Sequence, residues 1–98
     1  MKLDISTPAE MDIQDILTDG YTRYGQKSAR EYVLGIYSKL NMLTTFPYLG
    51  HQRADTLTEI LALKVEKRHI ALYEIKNNTI YVLRVAHDSS DFTKLNLH

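Results

Sequence analysis

The sequence predicts a single α+β domain over residues 1–98: a short N-terminal strand, an antiparallel hairpin of two helices, then three antiparallel strands forming a sheet packed on that hairpin. Three observations predict it. Segments 13–24 and 29–43 carry apolar residues at the spacing of one helical face. Three later segments within 61–85 alternate with period two, as half-buried strands do. Only a brief connection at Gly25 separates the two helical segments, so they fold back on each other. With 98 residues the chain has room for one core, and 44% hydrophobic against 24% charged residues is the balance of a chain that folds.

Leu3 and Ile5 alternate with Lys2, Asp4 and Ser6 as a very short strand. Thr7-Pro8-Ala9-Glu10 then reads as a helix start, with Thr7 as N-cap, Pro8 at the first helical position and Glu10 closing a capping box. Ile13, Ile16, Leu17, Gly20, Tyr21 and Tyr24 form the apolar stripe of this helix, and Gly25 is placed to end it in the left-handed conformation. Ala29, Tyr32, Val33, Ile36, Leu40 and Leu43 repeat the spacing in a second helix, which stops before Phe46-Pro47 because proline disfavours helical geometry in the residue before it. A surface loop follows from Pro47 to Thr56. Strands then centre on Leu61, Leu63 and Val65, on Ile70 and Leu72, and on Ile80 and Val82, the last two joined as a tight hairpin through Lys76-Asn77-Asn78-Thr79. Such a sheet covers one face with the helices and leaves the other partly open to a partner.

The absence of cysteine removes disulfides, a thiolate nucleophile and sulfur-ligated zinc from consideration. His51, His69, His87 and His98 show no close ligand spacing, so neither a metal nor another cofactor is expected. Gly20, Gly25, Gly35 and Gly50 are dispersed, which gives no phosphate-binding loop and no nucleophile elbow, and no small-molecule substrate is expected. Residues 1–6 lack a signal-peptide run, and no stretch approaches the roughly 20 apolar residues of a membrane span. A cytoplasmic protein without a membrane partner is the expectation. Twelve basic residues balance twelve acidic ones, so binding to nucleic acid would need a local basic patch.

Metal-free RNA cleavage needs only a cluster that binds phosphate, activates a 2′-hydroxyl and protonates the leaving oxygen. Arg53, Arg68, His69, Arg84 and His87 are the candidates for it. Arg84 alternates with Val82 among apolar neighbours, so its charge must reach a partner, a groove or solvent; an ion pair with Asp88 or Asp91 is the structural alternative. His69 and His87 read equally as hydrogen-bonding structural residues. Seven tyrosines supply rigid contact area with a polar tip. Tyr21, Tyr24 and Tyr32 lie on the apolar stripes and are assigned to the core, whereas Tyr37 and Tyr48 have less reason to be buried and are contact candidates.

The element order and four phrases together resemble the ParE branch of the RelE/ParE toxin superfamily over nearly the whole chain. The phrases are Phe46-Pro47-Tyr48-Leu49-Gly50-His51, Arg68-His69-Ile70-Ala71-Leu72-Tyr73, Ile80-Tyr81-Val82-Leu83-Arg84-Val85-Ala86-His87, and Asp91. The resemblance implies a RelE/ParE-like fold and the toxin of a type II toxin–antitoxin system, neutralised by a cognate antitoxin in a hetero-oligomer. It implies DNA gyrase as the target of a protein inhibitor without turnover of its own. Tyr37, Tyr48, Arg68, Arg84, His87 and Asp91 are the contact candidates for target or antitoxin. The RelE branch, by contrast, cleaves mRNA on the ribosome and resembles itself in carrying an Arg three positions before the strand tyrosine. Ile70 stands there in this chain, and Asp88-Ser89-Ser90 follows His87 where basic residues are usual. The nuclease and a non-toxic antitoxin-binding homologue are the alternatives.

Overall fold

The computed structural model describes residues 1–53 and 59–89. Its elements are β1 (Lys2–Ile5), α1 (Thr7–Tyr24), α2 (Gln26–Met42), β2 (Leu61–Glu66), β3 (His69–Lys76) and β4 (Thr79–His87). The sheet order is β1-β4-β3-β2, with β1 parallel to β4 and the other neighbours antiparallel.

One side chain both ends β1 and starts α1. Ser6 Oγ accepts from the Ala9 N–H at 3.1 Å and donates to the Leu83 carbonyl at 2.9 Å. The N-cap is therefore Ser6 and not Thr7, and Pro8 sits one position further into the first turn, where its missing N–H is still harmless. Glu10 closes no capping box; its carboxylate accepts from the Tyr37 hydroxyl of α2 at 2.8 Å.

Along α1, Ile13 and Gly20 are buried, but the stripe fails at its end: Tyr21 and Tyr24 are 37% and 59% exposed. Gly20 lets α2 approach closely, since a Cβ on it would lie 2.9 Å from that of Ala29. Gly25 has the positive φ expected of it (87°), but its ψ of 163° is extended and not left-handed helical. That geometry turns the chain directly into α2, whose first turn closes with Ala29 N–H donating to Gly25 O at 3.1 Å.

Ala29, Val33, Ile36, Leu40 and Leu43 of the second stripe are all buried. All but Ala29, which meets Gly20, pack with Ile13 on Val65, Ala71, Tyr73, Ile80, Val82 and Val85 of the sheet. The other sheet face, expected to be partly open, is covered over β2 and β3 and only partly buried along β4. Ile60, Ala62, Ile70 and Leu72 form a second buried cluster with Leu83 and Ala86 against it, which is why β3 is buried on both sides.

Two irregularities set the register. Asn77 and Asn78 both take positive φ, 53° and 58°, as a two-residue hairpin turn requires. Further along, Leu72 pairs with Arg84 while Tyr73 pairs with Val82, so Leu83 bulges out of the ladder. The Pro47–Gly50 turn is pinned from the core: the Tyr73 hydroxyl donates to Pro47 O at 2.8 Å and accepts from the Gly50 N–H at 2.9 Å.

Candidate functional site

The Leu83 bulge decides where the histidines go. Without it, the turn at Asn77-Asn78 would place His69 opposite Ala86; with it, His69 pairs with His87. The two rings meet edge to face with centroids 5.6 Å apart. They stand at the end of β3 and β4 beside the end of the helix hairpin closed by Gly25, where a cleft of about 600 Å³ is lined by Ile16, Gly20, Tyr24, Ala29, Tyr32 and both histidines, with Lys67 and Arg68 at the β2–β3 turn.

Hydrogen bonds tie the aromatic groups of this cleft together. The Tyr32 hydroxyl accepts from the Arg68 backbone N–H at 3.2 Å and shares a hydrogen bond with His69 Nδ1, 2.7 Å away. Burial pulls the His69 pKa below its ordinary value, and the nearby His87 pulls in the same direction. Burial pushes Tyr32 up, which keeps its hydroxyl protonated. On His87, Nδ1 accepts from the Ser89 N–H at 3.2 Å, which leaves Nε2–H as the donor of the neutral ring. Asp88 lies 3.4 Å from the same nitrogen. Arg68 donates through its guanidinium to the Tyr24 hydroxyl at 3.2 Å, which explains why an exposed tyrosine ends α1.

Of the residues proposed for phosphate chemistry, the structure brings together Arg68, His69 and His87. Arg84 is not with them. It donates to both carboxylate oxygens of Asp12 on α1, at 2.7 and 2.9 Å, and not to Asp88. Asp88 instead faces Lys64 at 3.6 Å, and Asp91 lies outside the described residues. Arg53, half-buried just past the His51–Ala62 bridge, does not line the cleft. Tyr37 is tied to Glu10, whereas Tyr48 is 74% exposed next to Phe46 and Leu49. The sequence reading missed Asp12, Tyr24 and Tyr32 as partners of these groups. A lone Asp on a helix and tyrosines on an apolar stripe carry no local signal of such roles. Among the described residues no group of three or more His, Asp or Glu could hold a metal, and no helix is long and apolar enough to cross a membrane.

A four-stranded sheet under a helix hairpin, with a turn-pinning strand tyrosine and a histidine pair at the sheet end, defines a small α+β protein with a cleft where the hairpin meets the sheet. Residues 3–92 match the profile of the ParE toxin of type II toxin–antitoxin systems, parDE, and the chain belongs to this family. Among solved structures, the chromosomal ParDE system of P. aeruginosa is similar with a TM-score of 0.79 and 22% identity, covering 89% of this chain and 95% of that one. A copper-bound mutant toxin from Helicobacter pylori follows with a TM-score of 0.62 and 12% identity, over 91% and 96% of the two chains. A conserved hypothetical protein from the same organism gives 0.60 and 17%, over 92% and 97%. At these identities the likeness is one of fold. No curated protein matches the sequence.

Proposed function

We propose that this ParE-type toxin acts by binding and not by turnover, that DNA gyrase is its target, and that a cognate antitoxin neutralises it by covering the contact surface in a hetero-oligomer within the cytoplasm. The family membership supports the gyrase and antitoxin assignments. The observation that carries the non-catalytic reading is the Asp12–Arg84 pair. A phosphate-cleaving site needs its cations free to meet developing charge. Here the last-strand arginine is neutralised at 2.7 Å by a carboxylate of its own chain, and Arg23 beside the cleft is engaged by Asp19 at 3.1 Å. What stays exposed is contact area: Tyr48, Phe46, Leu49 and Met42 at one end, Tyr24 and Arg68 at the other.

The test is DNA supercoiling by purified gyrase with and without the protein, scoring lost supercoiling and trapped cleaved DNA, with antitoxin preincubation as the relief arm. Inhibition that antitoxin relieves is expected. A folded, antitoxin-binding protein with no effect on gyrase would overturn the target assignment. The His69–His87 juxtaposition at 5.6 Å favours one second reading, metal-free mRNA cleavage on the ribosome with the two rings as base and acid. Codon-positioned cleavage lost in His87→Ala would establish it instead.

A further inference from the structure

We propose that the cleft between the Gly25 end of the helix hairpin and the β2–β3 turn binds a phosphorylated nucleotide, with the phosphate at Lys67, Arg68 and His87 and the base on the apolar floor. The inference goes beyond the gyrase reading and does not depend on it.

The floor is made by Ile16, Gly20 and Ala29, where the missing Cβ of Gly20 lets the two helices close to contact. The volume of about 600 Å³ suits a ligand of nucleotide size. Above the floor, the side-chain donors point to an anion. Lys67 and Arg68 bring two cations on adjacent residues, and the Tyr24 hydroxyl bonded to the Arg68 guanidinium at 3.2 Å holds that group at the cleft wall. His87 has Nδ1 occupied as an acceptor, so its neutral ring has an Nε2–H to offer.

The charges are unevenly placed, and that selects the ligand. On α1, Asp19 is matched by Arg23 at 3.1 Å, which leaves Asp15 as an acceptor facing the cationic turn across the cleft. A bare anion would gain from one wall and be repelled by the other. A ligand with an anionic head, a flat body and N–H or O–H groups at its far end satisfies both walls and the floor, and a nucleotide has that distribution. The nucleotide could be free or an unstacked residue of a single strand, since both present the same groups.

The test follows the ring signals of His69 and His87 by NMR in the whole protein during titration with AMP, adenosine, inorganic phosphate and a single-stranded tetradeoxyadenylate. AMP is expected to shift both rings in the millimolar range or below, with adenosine and phosphate each weaker by about tenfold or more, the effect of losing one wall's contacts. The Lys67→Ala/Arg68→Ala variant changes two exposed side chains and should weaken AMP by about tenfold or more. Its amide spectrum away from the cleft reports that the fold is kept. Tyr24→Phe, which loses only the hydroxyl on Arg68, should weaken AMP by a smaller factor. Tighter binding of the tetranucleotide than of AMP assigns a strand as the source, and equal binding assigns the free nucleotide. Absence of any shift with AMP or tetranucleotide, or AMP affinity unchanged in the double variant, overturns the proposal. Gyrase takes no part in this assay, so its outcome leaves the target assignment where it stood.

Discussion

Asp12 on α1 holds Arg84 on β4 through both carboxylate oxygens, at 2.7 and 2.9 Å, and accepts a third hydrogen bond from the Val85 backbone N–H at 3.0 Å. The third bond reveals what the pair is for. The Leu83 bulge interrupts the β3–β4 ladder, and the backbone groups around it need partners from elsewhere. Ser6 Oγ takes the Leu83 carbonyl and Asp12 takes the Val85 N–H, so the first turns of α1 satisfy the irregularity that sets His69 against His87. Arg84 then neutralises the carboxylate that does this.

From that arrangement Asp12→Ala is expected to cost more than Arg84→Ala. Removing Asp12 leaves a half-buried guanidinium and a backbone N–H without their partner, a loss of about 2 to 3 kcal/mol. Removing Arg84 leaves Asp12 still bonded to Val85, a loss of about 1 to 2 kcal/mol. Urea unfolding of both variants and the double variant measures the two costs and the coupling. Arg84→Lys should recover little, because an ammonium cannot reproduce the two-oxygen geometry. Equal costs for Asp12→Ala and Arg84→Ala would show that the Val85 bond contributes nothing.

The Pro47–Gly50 turn gives a second expectation. Tyr73→Phe keeps the ring, which is fully buried, and deletes a hydroxyl that serves Pro47 O and Gly50 N–H. Two backbone groups lose their partner, at about 1 to 3 kcal/mol. Gly50→Ala should be as damaging, since the added Cβ would lie 2.7 Å from the Tyr73 ring and 2.8 Å from the Ala62 carbonyl. Thermal unfolding measures the loss, and faster amide exchange at Gly50 in Tyr73→Phe localises it to the turn.

The element order, the two helix stripes and the Asn-Asn hairpin were legible because each rests on local periodicity or on a turn that only certain residues adopt. What was not legible depends on contacts between distant segments. Ser6 outcompetes Thr7 as N-cap because only it reaches the Leu83 carbonyl while capping. Tyr24 repeats the helical spacing yet is exposed, since periodicity gives a face but not what packs against it. Arg84 was recognisable as a charge in need of a partner; that the partner is 72 residues earlier in the chain followed from the parallel placement of β1 beside β4, which no local pattern encodes. The histidine pair was hidden for a related reason, as an unbulged count from the turn puts His69 opposite Ala86.

Tyr37 offers a spectroscopic check on the helix hairpin. Burial and the hydrogen bond it donates to the Glu10 carboxylate push its pKa to about 12. The folded state thus keeps this proton longer than the unfolded chain does, so the contribution is present below the ordinary tyrosine pKa of 10.0 and is lost as pH rises above it. Ultraviolet titration of the folded protein should show one tyrosine ionising near 12, and Glu10→Gln should bring that component down. An unchanged titration in Glu10→Gln would place Tyr37 away from Glu10 in solution.

His69 should make stability fall on the acid side. Its pKa is lowered by burial first and by His87 second, against a smaller opposing pull from Asp88, while Arg68 acts with His87 and the Tyr32 hydroxyl occupies Nδ1. With the folded pKa below the ordinary 6.5, the unfolded chain binds more protons across this range, and the unfolding free energy rises with pH. The contribution is therefore complete above about 6.5 and is lost as pH falls from there through the folded pKa, because the charged ring is disfavoured where it is buried beside His87. Urea unfolding between pH 7.5 and 5 on the order of half-unit steps should show this decline, and the slope should flatten in His69→Gln, which cannot titrate. Tyr32→Phe removes the hydroxyl but keeps the burial, so it should lower stability at neutral pH while retaining most of the slope. If His69→Gln left the slope intact, the acid sensitivity would belong to another group.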